Sequence, residues 1–387
     1  MITTINNEHK ELNFSSEREQ SQACLNSAEH EKNQGRKVLN VPNLRFPEFQ
    51  GEWEEYRIED ITENISSGRC KSHSPNGKYN LYGSTGIIGK TDEACYEGNL
   101  VLVARVGANA GSLQIINEPC GITDNTLIIK SKEVDAQYLY FFLQHFNLNR
   151  LIFGSGQPLI TGGMLKKVKV SLGTVQEQNK LTRLLSFLDE RIATQNKIID
   201  KLQSLIKGIR NDVYGKLRKS VGFNAMISDV LSYEQPQPYI VENTEYTAEG
   251  IPVLTANKAF VLGYTSETNG IYDKGDCIIF DDFTLDCKYV DFPYKIKSSA
   301  IKILTAKNKE LLRYTFEFLK YLDLSTEEHK RHYIAETQNQ EFILPTMHIV
   351  STIAHAFSAL SLRMKYVVKQ RNMFETQKQY LLRHMFI

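Results

Sequence analysis

The chain has 387 residues, of which 41% are hydrophobic and 10% aromatic, so it is long enough for two or three domains with sizeable cores. Its formal net charge is only +1, which argues against a protein that coats DNA without regard to sequence. This near-balance neither requires nor excludes a nucleic-acid partner, because phosphate binding depends on how the basic residues cluster.

The targeting features of the sequence predict a cytoplasmic protein. The six cysteines contain no Cys-x-x-Cys pair, as expected for reduced thiols. The first residues lack the basic segment and apolar run of a signal peptide, and no apolar stretch approaches the roughly 20 residues of a membrane span. We therefore expect a soluble protein of the cytoplasm.

The first half of the chain divides into a polar segment and a mixed domain. Residues 1–40 are rich in Glu, Gln, Asn and Ser and predict a disordered polar extension. Residues 41–173 predict a first α/β domain, with strands near 100–104 and 126–129 and a helix at 138–146.

A heptad pattern follows and predicts one long helix, from about Val175 to Val213 within a segment 174–215. At about 1.5 Å per residue it would be on the order of 55 Å long, so it needs a partner helix. Its seam positions include Leu181, Leu185, Leu188, Ile192, Ile199 and Leu202, and a polar Gln195 continues the seam.

An offset of 172 residues carries this seam onto the C-terminal segment 346–387, at Ile353, Phe357, Leu360 and Met364. Residues 216–345 repeat the first domain, because Ile58-Glu-Asp-Ile resembles Ile227-Ser-Asp-Val and Tyr96-Glu-Gly resembles the segment that starts at Tyr272. The predicted fold class is α+β, with two homologous mixed α/β domains separated by two long antiparallel coiled-coil helices in a pseudo-two-fold arrangement.

Fragments that resemble catalytic motifs are all incomplete. Residues 153–156 resemble the glycine loop of methyltransferases, but no Asn/Asp-Pro-Pro-aromatic motif accompanies them. Asp281, Asp286 and Lys288 form a degenerate version of a metal-nuclease constellation, and His329 with His332 lacks a third ligand. We therefore expect no catalytic residue and no metal or cofactor bound by this chain.

Loops rich in hydrogen-bonding side chains remain, and these favour DNA binding. Arg and Lys can bind guanine or phosphate, whereas Asn and Gln can pair with adenine. Each loop alone is weak evidence, but the loops recur in a duplicated protein. The candidates are Ser67, Arg69, Lys71, Lys78, Tyr79, Tyr82, Ser84, Arg105, Asn109, Ser155, Gln157, Thr255, Asn257, Lys258, Asp281, Asp282, Lys288 and Arg331.

Three segments resemble the specificity subunits of type I restriction-modification systems: residues 41–53, 154–160 (Gly-Ser-Gly-Gln-Pro-Leu-Ile) and 172–181. The resemblance implies that each domain is a target recognition domain for one half of a bipartite DNA site and that the paired helices set the spacing. It also implies two modification subunits, which methylate adenine with S-adenosylmethionine, and restriction subunits, which use ATP and Mg²⁺. The chain itself would be non-catalytic.

The second domain departs from this pattern. Residues 329–340 stand where the first domain has Gly-x-Gly-Gln-Pro, and Asp281-Asp282-Phe283 stands where it has Arg105-Val106-Gly107. The two domains should therefore read different half-sites, with the acidic pair accepting from cytosine N4, unless the second domain has decayed. Two other hypotheses stay open at this point, a stand-alone metal-dependent nuclease and a coiled-coil scaffold with no role on DNA.

Overall fold

The computed structural model describes residues 39–70, 73–152, 157–256, 260–326 and 330–387. The chain forms two compact units. Unit 1 contains the described residues up to Arg183 together with Leu381–Ile387, and unit 2 contains Leu184–Tyr380. The predicted extension 1–40 lies almost wholly outside the described residues, and the domain boundaries drawn from the sequence stay a prediction.

The described residues of unit 1 form two β-sheets, a strand pair, three α-helices and the start of a long helix. The elements are β1 (Glu54–Arg57), α1 (Ile58–Ile61), β2 (Thr62–Ser67), β3 (Tyr79–Gly83), β4 (Gly86–Thr91), β5 (Leu100–Ala104), β6 (Leu113–Ile116), β7 (Cys120–Ile122), β8 (Thr126–Ser131), α2 (Ala136–Phe146), α3 (Gly162–Lys166), β9 (Lys169–Leu172) and the first turns of α4 (Val175–Ser220).

The four-stranded sheet of unit 1 has the order β2-β8-β5-β6 and is antiparallel throughout. The three-stranded sheet has the order β4-β3-β7, in which β3 and β7 run parallel. Leu100, Leu102 and Ile128 of the first sheet share a core with Cys120 and Ile122 of the second. All five residues of β5 are buried, which explains why this strand is a continuous apolar run in the sequence.

Unit 2 repeats these elements in the same order, except that a short 3-10 helix, Thr337–Asn339, stands in place of α3. They are β10 (Ala225–Met226), α5 (Ile227–Val230), β11 (Leu231–Glu234), β12 (Ile251–Leu254), β13 (Val261–Thr265), β14 (Cys277–Asp281), β15 (Cys287–Val290), β16 (Lys295–Ile296), β17 (Ile301–Ala306), α6 (Lys309–Leu322), β18 (Glu341–Phe342) and α7 (Met347–Met385). The sheets β11-β17-β14-β15 and β13-β12-β16 pair as their counterparts do, including the parallel pair β12 and β16.

Individual hydrogen bonds repeat as well. The carboxylates of Asp60 and Asp229 accept from the backbone N–H that precedes α1 and α5, at 2.9 Å and 2.7 Å. The buried Tyr138 hydroxyl donates to the carbonyl of Ser171 in unit 1, and Tyr314 donates to that of Ile343 in unit 2. The prediction of two homologous α/β domains with long helices is therefore confirmed.

Within unit 2, α4 and α7 run antiparallel. The Lys378 ammonium lies 2.6 Å from the carboxylate of Asp189, and the Arg210 guanidinium lies over the ring of Phe357 at 6.0 Å. The side chains at the ten seam positions predicted from the heptads are all buried or half-buried. α4 continues seven residues beyond the predicted Val213 and stops before Gly222, whose positive φ of 76° ends the helix.

Candidate nucleic-acid interface

The strands of unit 1 bring five loops to one edge of the fold. Because the four-stranded sheet is antiparallel, β2 and β5 end where β6 and β8 begin. The three-stranded sheet joins there, since the N–H of Thr123, after β7, donates to the carbonyl of Tyr82 at 3.0 Å. We call this set of loops the strand-end edge of unit 1. It comprises residues 66–70, 83–86, 105–112, 123–125 and 157–161.

Arg105 lies at the centre of this edge. Its N–H donates to the carbonyl of Asn125 at 2.9 Å, and its own carbonyl accepts the N–H of Ile160 at 2.9 Å. Its Nη1 lies 3.4 Å from the Ser67 hydroxyl oxygen, whereas its Nε is buried without a hydrogen-bond partner in the described part of the chain. The exposed Gln157 lies beside Pro158, whose carbonyl accepts from Gly107 at 3.1 Å. Three candidates distant in sequence thus meet here.

Arg69 and Asn109 extend the same edge, and both are exposed. The chain around Arg69 is fixed because Gly68 donates to Thr126 and Cys70 donates to Ile122. Gly68 is required for this approach, because a Cβ there would lie 2.4 Å from the carbonyl oxygens of Ile122 and Thr123. The loop that carries Arg69 therefore has a backbone held on both sides.

The hairpin β3–β4 separates the remaining candidates of unit 1. Ser84 is in its turn, at the strand-end edge. Lys78 and Tyr79 are at the opposite end of β3, where the Lys78 ammonium lies over the Tyr79 ring at 5.2 Å. The Tyr82 hydroxyl donates to Glu118 at 2.7 Å, and burial, followed by this bond, raises the pKa of Tyr82 to about 12. The structure therefore does not bring Lys78, Tyr79 and the Tyr82 hydroxyl to the edge.

In unit 2 the backbone position of Arg105 is occupied by Asp282. The N–H of Asp282 donates to Ala300 at 2.8 Å and its carbonyl accepts from His332 at 3.0 Å, which matches the two backbone bonds of Arg105. The sequence comparison had placed Asp281 opposite Arg105, one residue too early. The offset changes within the domain because the loops between the strands differ in length.

Both acidic side chains of this loop face inward. The Asp282 carboxylate is 1% exposed and accepts the N–H groups of His332 and Tyr333, at 3.1 Å and 2.7 Å. The Asp281 carboxylate accepts the N–H groups of Phe283 and Thr284 at 2.9 Å. The expectation that this pair accepts a hydrogen bond from cytosine stays a prediction, and it is disfavoured because both carboxylates are buried and bind the protein's own backbone.

Two residues that the sequence analysis missed complete this site. Lys302 of β17 is buried, donates to the Gln235 side-chain oxygen at 3.0 Å and lies 3.6 Å from the Asp282 carboxylate. By strand register Gln235 corresponds to Ser67 and Lys302 to Leu127. A lysine within the apolar run Ile301-Lys-Ile-Leu was the signal available in the sequence.

At the corresponding strand-end edge of unit 2, Arg331 is an exposed cation. Its side chain is 50% exposed, its Nη1 lies 3.9 Å from Asp282, and its guanidinium lies over the ring of Phe283 at 5.8 Å. Thr255, whose N–H donates to Phe260, lies at the end of β12 on the same edge. The candidates Lys71, Ser155, Asn257 and Lys258 lie outside the described residues.

Asp281, Asp286 and Lys288 do not form a metal site among the described residues. Asp286 accepts from Lys320 at 2.6 Å and pairs with Lys288 at 3.0 Å. Burial opposes ionisation of Asp286, but these two lysines outweigh it and lower its pKa. Among the described residues no three His, Cys, Asp or Glu side chains lie together as metal ligands, and no described helix is long and apolar enough to cross a membrane.

Parts of this chain are similar in sequence to known proteins. Residues 50–204 match the family model described as a type I restriction modification DNA specificity domain. The EcoR124I/EcoR124II specificity subunit of Escherichia coli is 44% identical over 126 residues, which are 31% of each chain. The MjaVIII specificity subunit of Methanocaldococcus jannaschii is 27% identical over 190 residues, 45% of this chain and 44% of that one. Each match spans less than half of the relative's length.

The fold has a solved counterpart. The crystal structure of a type I restriction-modification S subunit from M. genitalium superposes with a TM-score of 0.67, over 90% of this chain and 99% of that chain, at 16% identity. At that identity the likeness shows the fold alone. The resemblance inferred from sequence is confirmed, because residues 50–204 match the family model of the type I DNA specificity domain.

Proposed function

We propose that this chain, whose residues 50–204 are a type I restriction-modification DNA specificity domain, acts as a whole as a specificity subunit with one half of a bipartite DNA site read by each unit. One observation supports this most directly. The same backbone positions at the two strand-end edges hold different side chains, with Arg105 replaced by Asp282 and Ser67 by Gln235. Two domains with the same backbone but different side chains at this edge are suited to recognise two different DNA sequences.

The chemistry of each edge suggests what it reads. In unit 1 Arg105 offers a guanidinium suited to guanine O6 and N7, and Gln157 offers an amide suited to adenine N6 and N7. In unit 2 the exposed guanidinium is that of Arg331, presented by a different loop. Asp282 and Lys302 act behind it as positioning residues. The two half-sites should therefore differ in sequence.

In this proposal the chain supplies sequence recognition and its partners supply the chemistry. Two modification subunits would bind it and methylate adenine with S-adenosylmethionine, and restriction subunits would use ATP and Mg²⁺. The paired helices α4 and α7 would fix the length of unread DNA between the half-sites. The chain itself would bind no cofactor and catalyse no step.

The test is an adenine-methylation map of DNA from cells that express this chain with its modification subunits. We expect one bipartite motif that is absent without the chain. Arg105→Ala should relax or abolish reading of one half and Arg331→Ala of the other, since a good bidentate base contact is worth about 1–3 kcal/mol. Lys78→Ala, at the far end of β3, is the matched control and should leave the motif unchanged.

Other outcomes would contradict the proposal. No new motif from a stably assembled complex would remove the reading role. Metal-dependent cleavage by the purified chain, abolished by Asp286→Ala, would favour the nuclease. Normal partner binding and cellular function after deletion of residues 60–165 would favour a scaffold.

A further inference from the structure

The turn of the hairpin β3–β4 presents apolar side chains to solvent. Ile87 is 58% exposed and Ile88 is 51% exposed, directly after Ser84-Thr85-Gly86. This turn lies at the strand-end edge of unit 1, because the Gln114 side chain of β6 donates to the carbonyl of Gly83 at 2.9 Å. Two adjacent exposed isoleucines thus stand among the polar candidates of the edge.

The two isoleucines have different roles. The Ile88 side chain covers the turn, since a Cβ on Gly83 would lie 2.9 Å from its Cγ2. Ile87 is the more exposed of the two and pairs with Tyr82 immediately after a register shift in the ladder. The extra residue of this bulge is Ile88, and a bulge re-aims the side chains beside it. Ile87 is therefore the side chain available to a ligand.

Unit 2 repeats this position. Its hairpin β12–β13 has the same shift, between Val253 and Leu254, and the residue paired with Leu254 is Val261, which is 38% exposed. The polar residues of the two edges differ, whereas a β-branched apolar side chain stands at this position in both. A role common to both readers explains the repetition better than a contact peculiar to one of them.

We propose that Ile87, and Val261 in unit 2, each contact the C5-methyl group of a thymine in the major groove, a role that rests on the proposed function. A two-stranded ribbon fits the major groove, and the thymine methyl is the apolar group that base edges present there. Residues 83–89, which form the tip of the hairpin, contain no carboxylate that would repel phosphates. The site discriminates thymine from cytosine by apolar contact alone.

The test measures binding of the full chain, in complex with its modification subunits, to duplexes that carry the mapped recognition sequence. Each thymine of either half-site is replaced singly by deoxyuridine, which removes only the methyl group. At one position of the first half-site we expect about a fourfold loss of affinity, the effect of one methyl group losing its apolar contact. Ile87→Ala should show a similar loss and become insensitive to that replacement, whereas Ile87→Val retains the sensitivity.

Val261→Ala should give the same result at the second half-site only. Leu205→Ala, an exposed leucine of α4, is the control and should behave as the wild type at every position. Additive losses from Ile87→Ala and deoxyuridine, or no loss at any thymine, would overturn the proposal. If Ile87→Ala instead reduced DNA bending without any dependence on the methyl group, the residue would be a wedge between base pairs. Failure of this contact would leave the Arg105 result standing, so the two proposals fail separately.

Discussion

Replacing Asp282 by Asn should loosen the reading loop of unit 2. Asparagine keeps a carbonyl oxygen for the N–H groups of His332 and Tyr333, so the substitution removes the charge and little else. The consequence falls on Lys302, whose ammonium is buried 3.6 Å from the carboxylate. Two unit charges at that distance attract by about 4.6 kcal/mol at an effective dielectric constant of about 20.

The expected loss lies near the lower end of the range for a broken buried pair. Removing one partner of such a pair costs about 3–5 kcal/mol, because the other charge stays buried without compensation. Lys302 retains the hydrogen bond to Gln235 and a position over the ring of Tyr233 at 5.9 Å. We therefore expect a loss of about 3 kcal/mol in the local stability of residues 330–340.

Hydrogen exchange followed by mass spectrometry measures this local stability directly, and it avoids assigning one unfolding free energy to a chain with two units. Asp291→Asn is the matched control, because Asp291 pairs with Lys365 on the surface of the same unit. The double variant Asp282→Asn/Lys302→Leu, which restores the leucine found at this place in unit 1, should recover most of the protection. Wild-type protection in the single variant, or no recovery in the double variant, would refute the reasoning.

Three further predictions concern other parts of the chain. Glu177→Gln should lower the stability of unit 1 by about 3 kcal/mol, measured by urea unfolding with Trp53 fluorescence, because the buried carboxylate accepts from Arg45 at 2.7 Å and from the Trp53 indole at 3.1 Å. Burial lowers the pKa of His145 below its usual 6.5, although its bond to the Leu382 carbonyl opposes this, so the contact of the neutral ring with residues 381–387 should lose stability as the pH falls below about 6.5, because the unfolded state then takes up the proton first. Hydrogen exchange of residues 381–387 should report this loss of stability. Tyr321 stands in unit 2 where unit 1 has His145, so hydrogen exchange around Tyr321 should not change over the same pH range. Inserting seven residues after Ile199 in α4 and after Val368 in α7 should lengthen the unread spacer by about three base pairs without altering either half-site, as a methylation map would record.

The internal repeat allowed the fold to be predicted from the sequence. An offset of 172 residues placed both long helices, and the same offset relates Tyr214 to Phe386. Each of these aromatic residues packs on the equivalent helix of a unit, Tyr214 on Phe318 of α6 and Phe386 on Phe142 of α2. Periodicity carries such information because a helix seam depends on spacing and not on the identity of any one residue.

The details of the edge were not accessible in the same way. The polarity of Asp281 and Asp282 suggested contact with a base, but their carboxylates bind backbone N–H groups inside the loop. Lys302 escaped notice because an apolar strand predicts burial, and a buried lysine needs a partner that only the fold reveals. Composition reports which groups can hydrogen-bond, whereas the direction of each side chain depends on contacts between distant segments.

The segment 381–387 has a consequence for how the chain folds during synthesis. Unit 1 is completed only when Phe386 reaches Tyr138 and Phe142, about 200 residues after Arg183 has been made. At roughly 5–20 residues per second, the aromatic face of α2 waits on the order of 10–40 s for its cover. Unit 2 is translated during this time. Tyr214, which covers α6 as Phe386 covers α2, is made before α6 itself. The half of the protein that is made first is therefore completed only after the other half, and a nascent chain stalled directly after Tyr380 would expose its first domain to chaperones and proteases although all of unit 2 has been made.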